Sequence, residues 1–203
     1  MKRKTLSRRN FIAGAAAAGA TILSSALPAA AQEKTMKKTF TILHTNDMHS
    51  NFIGMGPASD YTPFTLNDDQ TRGGYARLAA MIATRRKARS GAGPVLTLDA
   101  GDYTMGTAFA AASREIGGEL KIMARMGYDA TTFGNHEFDL GPDGLGKAIS
   151  VASKAGKIPA VLSSNTDFSA NDATLTGLQQ LSKSGVIRRY FVIERGGIRF
   201  GIF

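Results

Sequence analysis

Short apolar and β-branched runs alternate along the chain with longer stretches whose apolar residues recur at helical spacing. Each short run leads directly into a group of polar residues, a pattern typical of buried strands. The predicted strands are residues 39–44, 94–98, 129–133 and 158–162. The predicted helices are residues 75–89, 118–126 and 144–155. Because strands and helices alternate, the pattern predicts an α/β sheet with right-handed crossovers.

Two further stretches depart from this alternation. Residues 187–194 and 198–203 are β-type runs that flank Gly196-Gly197, which predicts a β-hairpin. Residues 51–73 contain Gly, Pro, Asn and Asp without periodicity, so we expect a long loop, and loops of this length are usually functional. The sequence stops at Phe203 inside a strand pattern, so we expect it to be part of a longer protein.

The N-terminal residues 1–31 have the composition of an export signal. Residues 7–12 read Ser-Arg-Arg-Asn-Phe-Ile, which resembles a twin-arginine motif, and a small-residue cleavage site follows the apolar stretch. A membrane anchor is the alternative, but the apolar residues 13–27 are fewer than the ~20 needed to span a bilayer. We therefore expect a removed twin-arginine signal peptide, a periplasmic or secreted protein, and no stable membrane insertion.

The positive charge of the chain is concentrated in this segment. The whole chain has 25 basic and 16 acidic residues, a net charge of +9. Five of the basic residues and no acidic ones precede residue 32, so the remainder has 20 basic and 16 acidic residues and carries only +4. This modest charge argues against a nucleic-acid partner. The absence of cysteine excludes disulfides, cysteine-ligated zinc and thiol nucleophiles.

Groups that can bind a metal follow the first three predicted strands. Asp47 and His49 follow the first strand, Asp102 follows the second, and Asn135 and His136 follow the third. Ligands of such sheets bind beyond the carboxyl ends of the strands, so we expect these side chains to converge. Asp-x-His and Gly-Asp alone are common in turns, whereas the run from Gly134 to Glu137 is much more specific.

The residue types suggest how the chemistry would be divided. Asp47 and His49 can bind one cation, Asp102 can bridge two, and Asn135 can bind the second. Two cations about 3.5–4 Å apart can hold a phosphate and lower the pKa of a water molecule. His136 suits a proton donor to the leaving group, and Asp139, three residues on, can orient its imidazolium.

Two acidic residues near these groups keep open roles. The sequence leaves the role of Glu137 open, and a structural role is one interpretation. Asp99 either supports the site or belongs to a turn.

These groups together resemble the calcineurin-like metallophosphoesterases, whose pattern is Asp-x-His, Gly-Asp and Gly-Asn-His-Glu/Asp. Residues 42–52, 72–77 and 134–139 are similar to segments of the secreted bacterial 5′-nucleotidases within that family. The resemblance implies a four-layer α/β/β/α sandwich that is incomplete at the C-terminus. It also implies that residues 39–203 form the N-terminal part of the metallophosphoesterase domain.

The same resemblance assigns two divalent metal ions (Mn, Zn or Fe) to Asp47, His49, Asp102 and Asn135, and a catalytic pair to His136 and Asp139. No histidine follows His136, whereas the family takes three more from later strand ends and adds a nucleotide-binding domain. We therefore expect the chain alone to bind metal weakly and to hydrolyse little.

The function implied is hydrolysis of phosphate esters of extracellular nucleotides by a metal-activated water. The expected partner is a small-molecule nucleotide. A cyclic phosphodiesterase, a nucleotide-sugar hydrolase and a thiosulfohydrolase of the same fold are alternatives. A non-catalytic metal-binding secreted module is the alternative outside enzymes.

Overall fold

A parallel sheet occupies the centre of the protein in residues 37–55 and 71–203, the part of the chain that the computed structural model describes. The strands of this sheet lie side by side in their chain order. They are β1 (Thr41–Thr45), β2 (Val95–Asp99), β3 (Ala130–Thr132), β4 (Ala160–Leu162) and β5 (Ile187–Arg188). The predicted signal peptide and residues 56–70 of the predicted loop lie outside the described residues.

Helices connect successive strands of the sheet. They are α1 (Tyr75–Arg89), α2 (Ser113–Ile116), α3 (Gly118–Met126), α4 (Gly141–Ala155) and α5 (Thr176–Lys183). Short 3₁₀ turns cover Ala108–Ala112, His136–Phe138 and Ala173–Leu175. Since each crossover joins neighbouring parallel strands and such crossovers share one hand, the helices lie on one face of the sheet.

The hydrophobic core lies between these helices and the sheet. Ile149 of α4, Leu178 of α5 and Val161 of β4 are fully buried in a single cluster. Leu43 of β1 packs against that cluster, whereas its neighbour Ile42 points to the other face and is 49% exposed. The alternation along β1 therefore separates a helix-covered face from a more open one.

A hairpin forms a second, two-stranded sheet. Its strands are β6 (Phe191–Arg195) and β7 (Ile198–Ile202), and the turn residues Gly196 and Gly197 have φ values of 59° and 67°. Two consecutive positive φ values are what a type I′ turn requires, which explains the two glycines.

Arg195 at the turn anchors the hairpin to the amino end of the main sheet. Its guanidinium donates to the Val95 carbonyl at 2.6 Å and to Asp129 Oδ1 at 2.6 Å. Val95 begins β2 and Asp129 precedes β3, so these contacts lie at the end of the sheet opposite the predicted metal ligands.

The hairpin prediction is confirmed for residues 191–202 but is wrong at its start. Ile187 and Arg188 belong to the main sheet, where Ile187 pairs with Val161 and is buried. The predicted helix at 75–89 has those bounds in the structure, and α4 begins three residues earlier than predicted. Of the helices in the described ranges, none combines the length and apolar character that crossing a bilayer requires.

Candidate metal and catalytic site

The loops that follow β1, β2 and β3 lie against one another at the carboxyl edge of the main sheet. The Asp47 amide donates to the Gly101 carbonyl at 3.0 Å, and the His49 amide donates to the Asp102 carbonyl at 3.0 Å. The His136 amide donates to Asp102 Oδ1 at 2.9 Å. The three predicted groups therefore come together, with the Asp102 loop in the middle.

Three of the predicted metal ligands have a left-handed backbone. The φ values are 53° at Asp47, 49° at His49 and 53° at Asp102. Residues other than glycine seldom occupy this region, and when they do, the surrounding structure must hold them there. Such conformations cluster at functional sites, so the backbone supports the choice of these residues independently of their side chains.

Two glycines allow the loops after β2 and β3 to pack closely against each other. A Cβ on Gly101 would overlap the Gly134 amide nitrogen, and a Cβ on Gly134 would overlap the Asp102 carboxylate. The φ of Gly101 is 97°, so this position requires glycine on both counts. The glycines of both sequence motifs therefore serve the close packing of the loops.

Three side chains of these loops form a cluster that can hold a metal ion. The ligand atoms of His49, Asp102 and His136 all lie within 4.8 Å of one another, and each residue is half-buried. Asp47 adjoins the cluster, with its Oδ1 3.6 Å from His49 Nε2. Asn135 is exposed at the end of β3, directly before His136. Carboxylate oxygen and imidazole nitrogen together suit Mn, Zn or Fe.

His136 and Asp139 form the pair that their spacing predicts. The Nδ1 of His136 lies 2.6 Å from Asp139 Oδ2, because the chain makes a 3₁₀ turn between them. The hydrogen bond from His136 to the Asp139 carboxylate raises the pKa of His136 above its ordinary value. Desolvation opposes this shift, and the negative charge of Asp139 adds to it. The contact favours a protonated imidazole near the metal ligands.

The match to a known family covers most of the described residues. Residues 40–198 match the family model for calcineurin-like phosphoesterases. The chain belongs to this family. The resemblance seen in the sequence is thereby confirmed.

Known proteins similar to this calcineurin-like phosphoesterase are 5′-nucleotidases and a related nucleotidase. A 5′-nucleotidase from Bos taurus is 42% identical over 106 residues, which cover 52% of this chain and 17% of that protein. The solved 5′-nucleotidase precursor from Thermus thermophilus is 33% identical with a TM-score of 0.56, over 80% of this chain and 27% of that one. The NAD nucleotidase of Haemophilus influenzae is 28% identical with a TM-score of 0.55, over 79% of this chain and 25% of that one.

These comparisons bear on the fold and on the extent of the match. The solved structures confirm the predicted α/β metallophosphoesterase fold class. The chain spans between 17% and 27% of the length of these three proteins.

Glu137, whose role the sequence left open, ties two loops of this phosphoesterase together. It is buried, and its carboxylate accepts from the backbone amides of Asp102 (2.9 Å), Thr104 (3.0 Å) and Gly134 (2.6 Å). The Thr104 hydroxyl donates a fourth bond at 3.1 Å. Burial raises the pKa of Glu137, while these hydrogen bonds favour the ionised form. Its role in the described structure is to hold the loops after β2 and β3 in place.

Asp99 serves in the same way at the ends of the strands themselves. It is buried at the last position of β2 and accepts from the hydroxyls of Thr45 at 2.7 Å and Thr131 at 2.8 Å. Burial raises the pKa of Asp99, and the two hydroxyl bonds oppose the shift. Because Thr45 ends β1 and Thr131 lies in β3, Asp99 links three strands next to the candidate metal ligands and supports the candidate site.

Proposed function

We propose that this chain is part of a nucleotide phosphohydrolase that releases phosphate from extracellular nucleotides. The observation that carries the proposal is the convergence of His49, Asp102 and His136 within 4.8 Å at the strand ends of a calcineurin-like phosphoesterase. The bovine and Thermus proteins named 5′-nucleotidases support nucleoside monophosphates as the substrate class.

The donor set fits two divalent metal ions. We propose that Asp47 and His49 hold the first ion, Asn135 holds the second, and Asp102 contacts both. Bound divalent cations would neutralise phosphate charge and lower the pKa of a water molecule to near neutrality. The identity of the ions as Mn, Zn or Fe follows from the mixture of oxygen and nitrogen donors.

His136 would carry the proton chemistry of the chain. Its Nδ1 is engaged by Asp139, so Nε2 is the nitrogen that can donate a proton to the leaving oxygen. The imidazolium would also stabilise negative charge as it develops on the phosphoryl group. Asp139 fixes the orientation of the ring and favours its charged form.

Phosphate release from AMP by the complete protein of which this chain is part, with and without Mn²⁺, tests the proposal. We expect release that requires the added metal and disappears on chelation. Asp102→Ala should lose both bound metal and activity, because this carboxylate would contact both ions. Metal-independent release, or full activity of Asp102→Ala, would contradict the proposed site.

A dinucleotide is the second candidate substrate. The NAD nucleotidase of Haemophilus influenzae shares the fold of this chain, which favours NAD as a compound to test. Comparing kcat/KM for AMP and NAD on the same preparation separates the two candidates. A higher value for NAD would assign the chain to the second class.

We further propose that residues 1–31 direct export by the twin-arginine route. The basic residues and the weakly apolar stretch of that segment support this. Extracellular nucleotides would then be the accessible substrates.

A further inference from the structure

A third buried carboxylate, Glu119, lies near the candidate site. It occupies the second position of α3 and is 1% exposed. Its Oε1 accepts from the Ser50 hydroxyl and its Oε2 accepts from the Ser113 hydroxyl, each at 2.8 Å. A buried carboxylate is costly unless hydrogen-bonded, and here two hydroxyls and the first turn of a helix stabilise it.

Ser50 connects Glu119 to the candidate metal ligand His49, which precedes it in the chain. Ser50 is fully buried and has a φ of 47°. Its amide donates to the Tyr103 carbonyl at 2.9 Å, and its carbonyl accepts from the Thr107 hydroxyl at 2.7 Å. With its hydroxyl bound to Glu119, Ser50 is held at its amide, carbonyl and side chain. The turn that contains His49 is thereby fixed in its left-handed conformation.

The contacts of Glu119 complement those of Glu137. Glu137 binds the loops after β2 and β3 through Asp102, Thr104 and Gly134. Glu119 binds the loop after β1 through Ser50. Both carboxylates line one small cavity, together with His136. The three loops that supply the proposed metal ligands are therefore hydrogen-bonded to two buried carboxylates, Glu119 and Glu137.

We propose that Glu119 is a positioning residue of the metal site, which acts through Ser50 to aim the His49 imidazole at Asp102 and His136. The inference rests on the proposed function, because it takes His49 as a metal ligand. The competing explanation is that Glu119 only stabilises the junction of α2 and α3, where Ser113 begins α2. The two serines allow these explanations to be separated.

Ser50→Ala and Ser113→Ala form a matched pair. Each removes one buried hydrogen bond of 2.8 Å to the same carboxylate, but Ser50 alone adjoins His49. In Ser50→Ala we expect amide hydrogen exchange at His49 and Ser50, measured without metal, to accelerate about tenfold through local opening. We also expect Mn²⁺ affinity to fall about 10–100-fold, the usual effect of losing an outer partner of a metal ligand. In Ser113→Ala both quantities should stay within about twofold of the unaltered chain, as for an unrelated site.

Substitution of Glu119 itself provides a test by rescue. A glutamine can accept from one serine and donate to the other, because a hydroxyl can reverse its role. Glu119→Gln should therefore retain Mn²⁺ affinity and His49 protection, whereas Glu119→Leu should reproduce Ser50→Ala.

The outcomes distinguish this inference from the proposed function. Equal exchange rates and equal Mn²⁺ affinities in the two serine variants overturn the positioning role. If the complete protein takes up no Mn²⁺ while Ser50→Ala still loosens His49 selectively, the proposed metal site is wrong and the control of the loop by Glu119 stands.

Discussion

At the scale of single residues, His136 is bound at three places by different groups. Its backbone amide is held by Asp102, its Nδ1 by Asp139, and its ring lies edge-on to that of His49 at 5.0 Å between centroids. The His136 imidazole therefore lies where it could either bind a metal ion or transfer a proton. Its geometry is compatible with both roles, and the proposed one is proton transfer.

Removal of the imidazole separates the two roles. In His136→Ala we expect turnover of AMP to fall about 10²–10⁴-fold, the usual contribution of a general acid. Metal content, measured by elemental analysis, should stay near that of the unaltered chain. A parallel loss of metal would make His136 a ligand and leave the proton donor unidentified.

Glu137 differs from Glu119 in the kind of donor that it meets. Three of its four donors are backbone amides, which cannot reverse their role as a hydroxyl can. Glu137→Gln turns one acceptor into a donor and leaves at least one buried amide facing another N–H group. We expect a loss of about 1–3 kcal/mol in the free energy of unfolding, measured by urea titration.

Glu194→Gln is the control for this substitution. Glu194 is exposed on β6, so its replacement should change the unfolding free energy by less than about 0.5 kcal/mol. Equal effects of the two substitutions would show that Glu137 does not hold the loops.

At the scale of elements, sequence analysis best predicts the strands whose own residues show a recognisable hydrophobic pattern. β1 to β4 combine β-branched or apolar runs with polar residues after their ends, so the sequence predicts these four strands and the convergence of the loops after the first three. The sequence pattern assigned the two residues of β5 to the hairpin, because only the pairing of Ile187 with Val161 shows that they belong to the main sheet. The eight-residue α5 likewise depends on the burial of Leu178 and Leu181 against the core.

The buried acid Glu119 was beyond sequence analysis for a similar reason. An acidic residue in the first turn of a helix, such as Glu119, is ordinarily solvated and favoured by the helix dipole. Its contact with Ser50 joins residues 69 apart in the chain, and only the fold shows it. The candidate ligands could be proposed from the sequence because their chemistry and their strand-end positions are both local features.

One ion pair contributes to the attachment of the hairpin, in addition to contacts such as that between the Phe40 and Phe200 rings. Arg195 binds Asp129, whose side chain is 9% exposed, and the Val95 carbonyl. In Arg195→Met we expect the unfolding free energy to fall by about 1–3 kcal/mol, because hydrogen bonds to charged groups are lost and Asp129 keeps its buried charge. Hydrogen exchange should accelerate first in β6 and β7.

Arg199→Met is the matched control, since Arg199 is exposed on the same hairpin. Its stability should stay within about 0.5 kcal/mol of the unaltered chain. Equal loss in both variants would show that general charge, and not the Asp129 contact, holds the hairpin.

At the scale of the whole molecule, the attachment of the hairpin and the candidate metal site lie at opposite ends of the main sheet. The hairpin attaches at the amino end, near Val95 and Asp129, while the candidate metal ligands lie at the carboxyl end. Sites this far apart with no shared partners act nearly independently. We therefore expect the Arg195→Met variant to retain its Mn²⁺ affinity even though the protein is less stable, as a metal titration below the unfolding temperature will show.

The proposed export role of residues 1–31 has a test of its own. Residues 1–31 fused to a folded reporter should deliver it to the periplasm, because the twin-arginine route carries folded proteins. Replacing Arg8 and Arg9 together by lysine keeps the charge and should abolish export, as cell fractionation will show. Export that survives this replacement would mean that the segment is read by another route.

Because Asp47 has a left-handed backbone, a substitution there can raise thermal stability while it removes a proposed metal ligand. A glycine at this position would relax the local conformation by about 1 kcal/mol, and the exposed Asp47 side chain gives up little packing in exchange. A screen that rewards only survival at high temperature would therefore enrich for variants that have discarded a proposed ligand. Selection for a more thermostable form of this protein should therefore include an activity assay in every round.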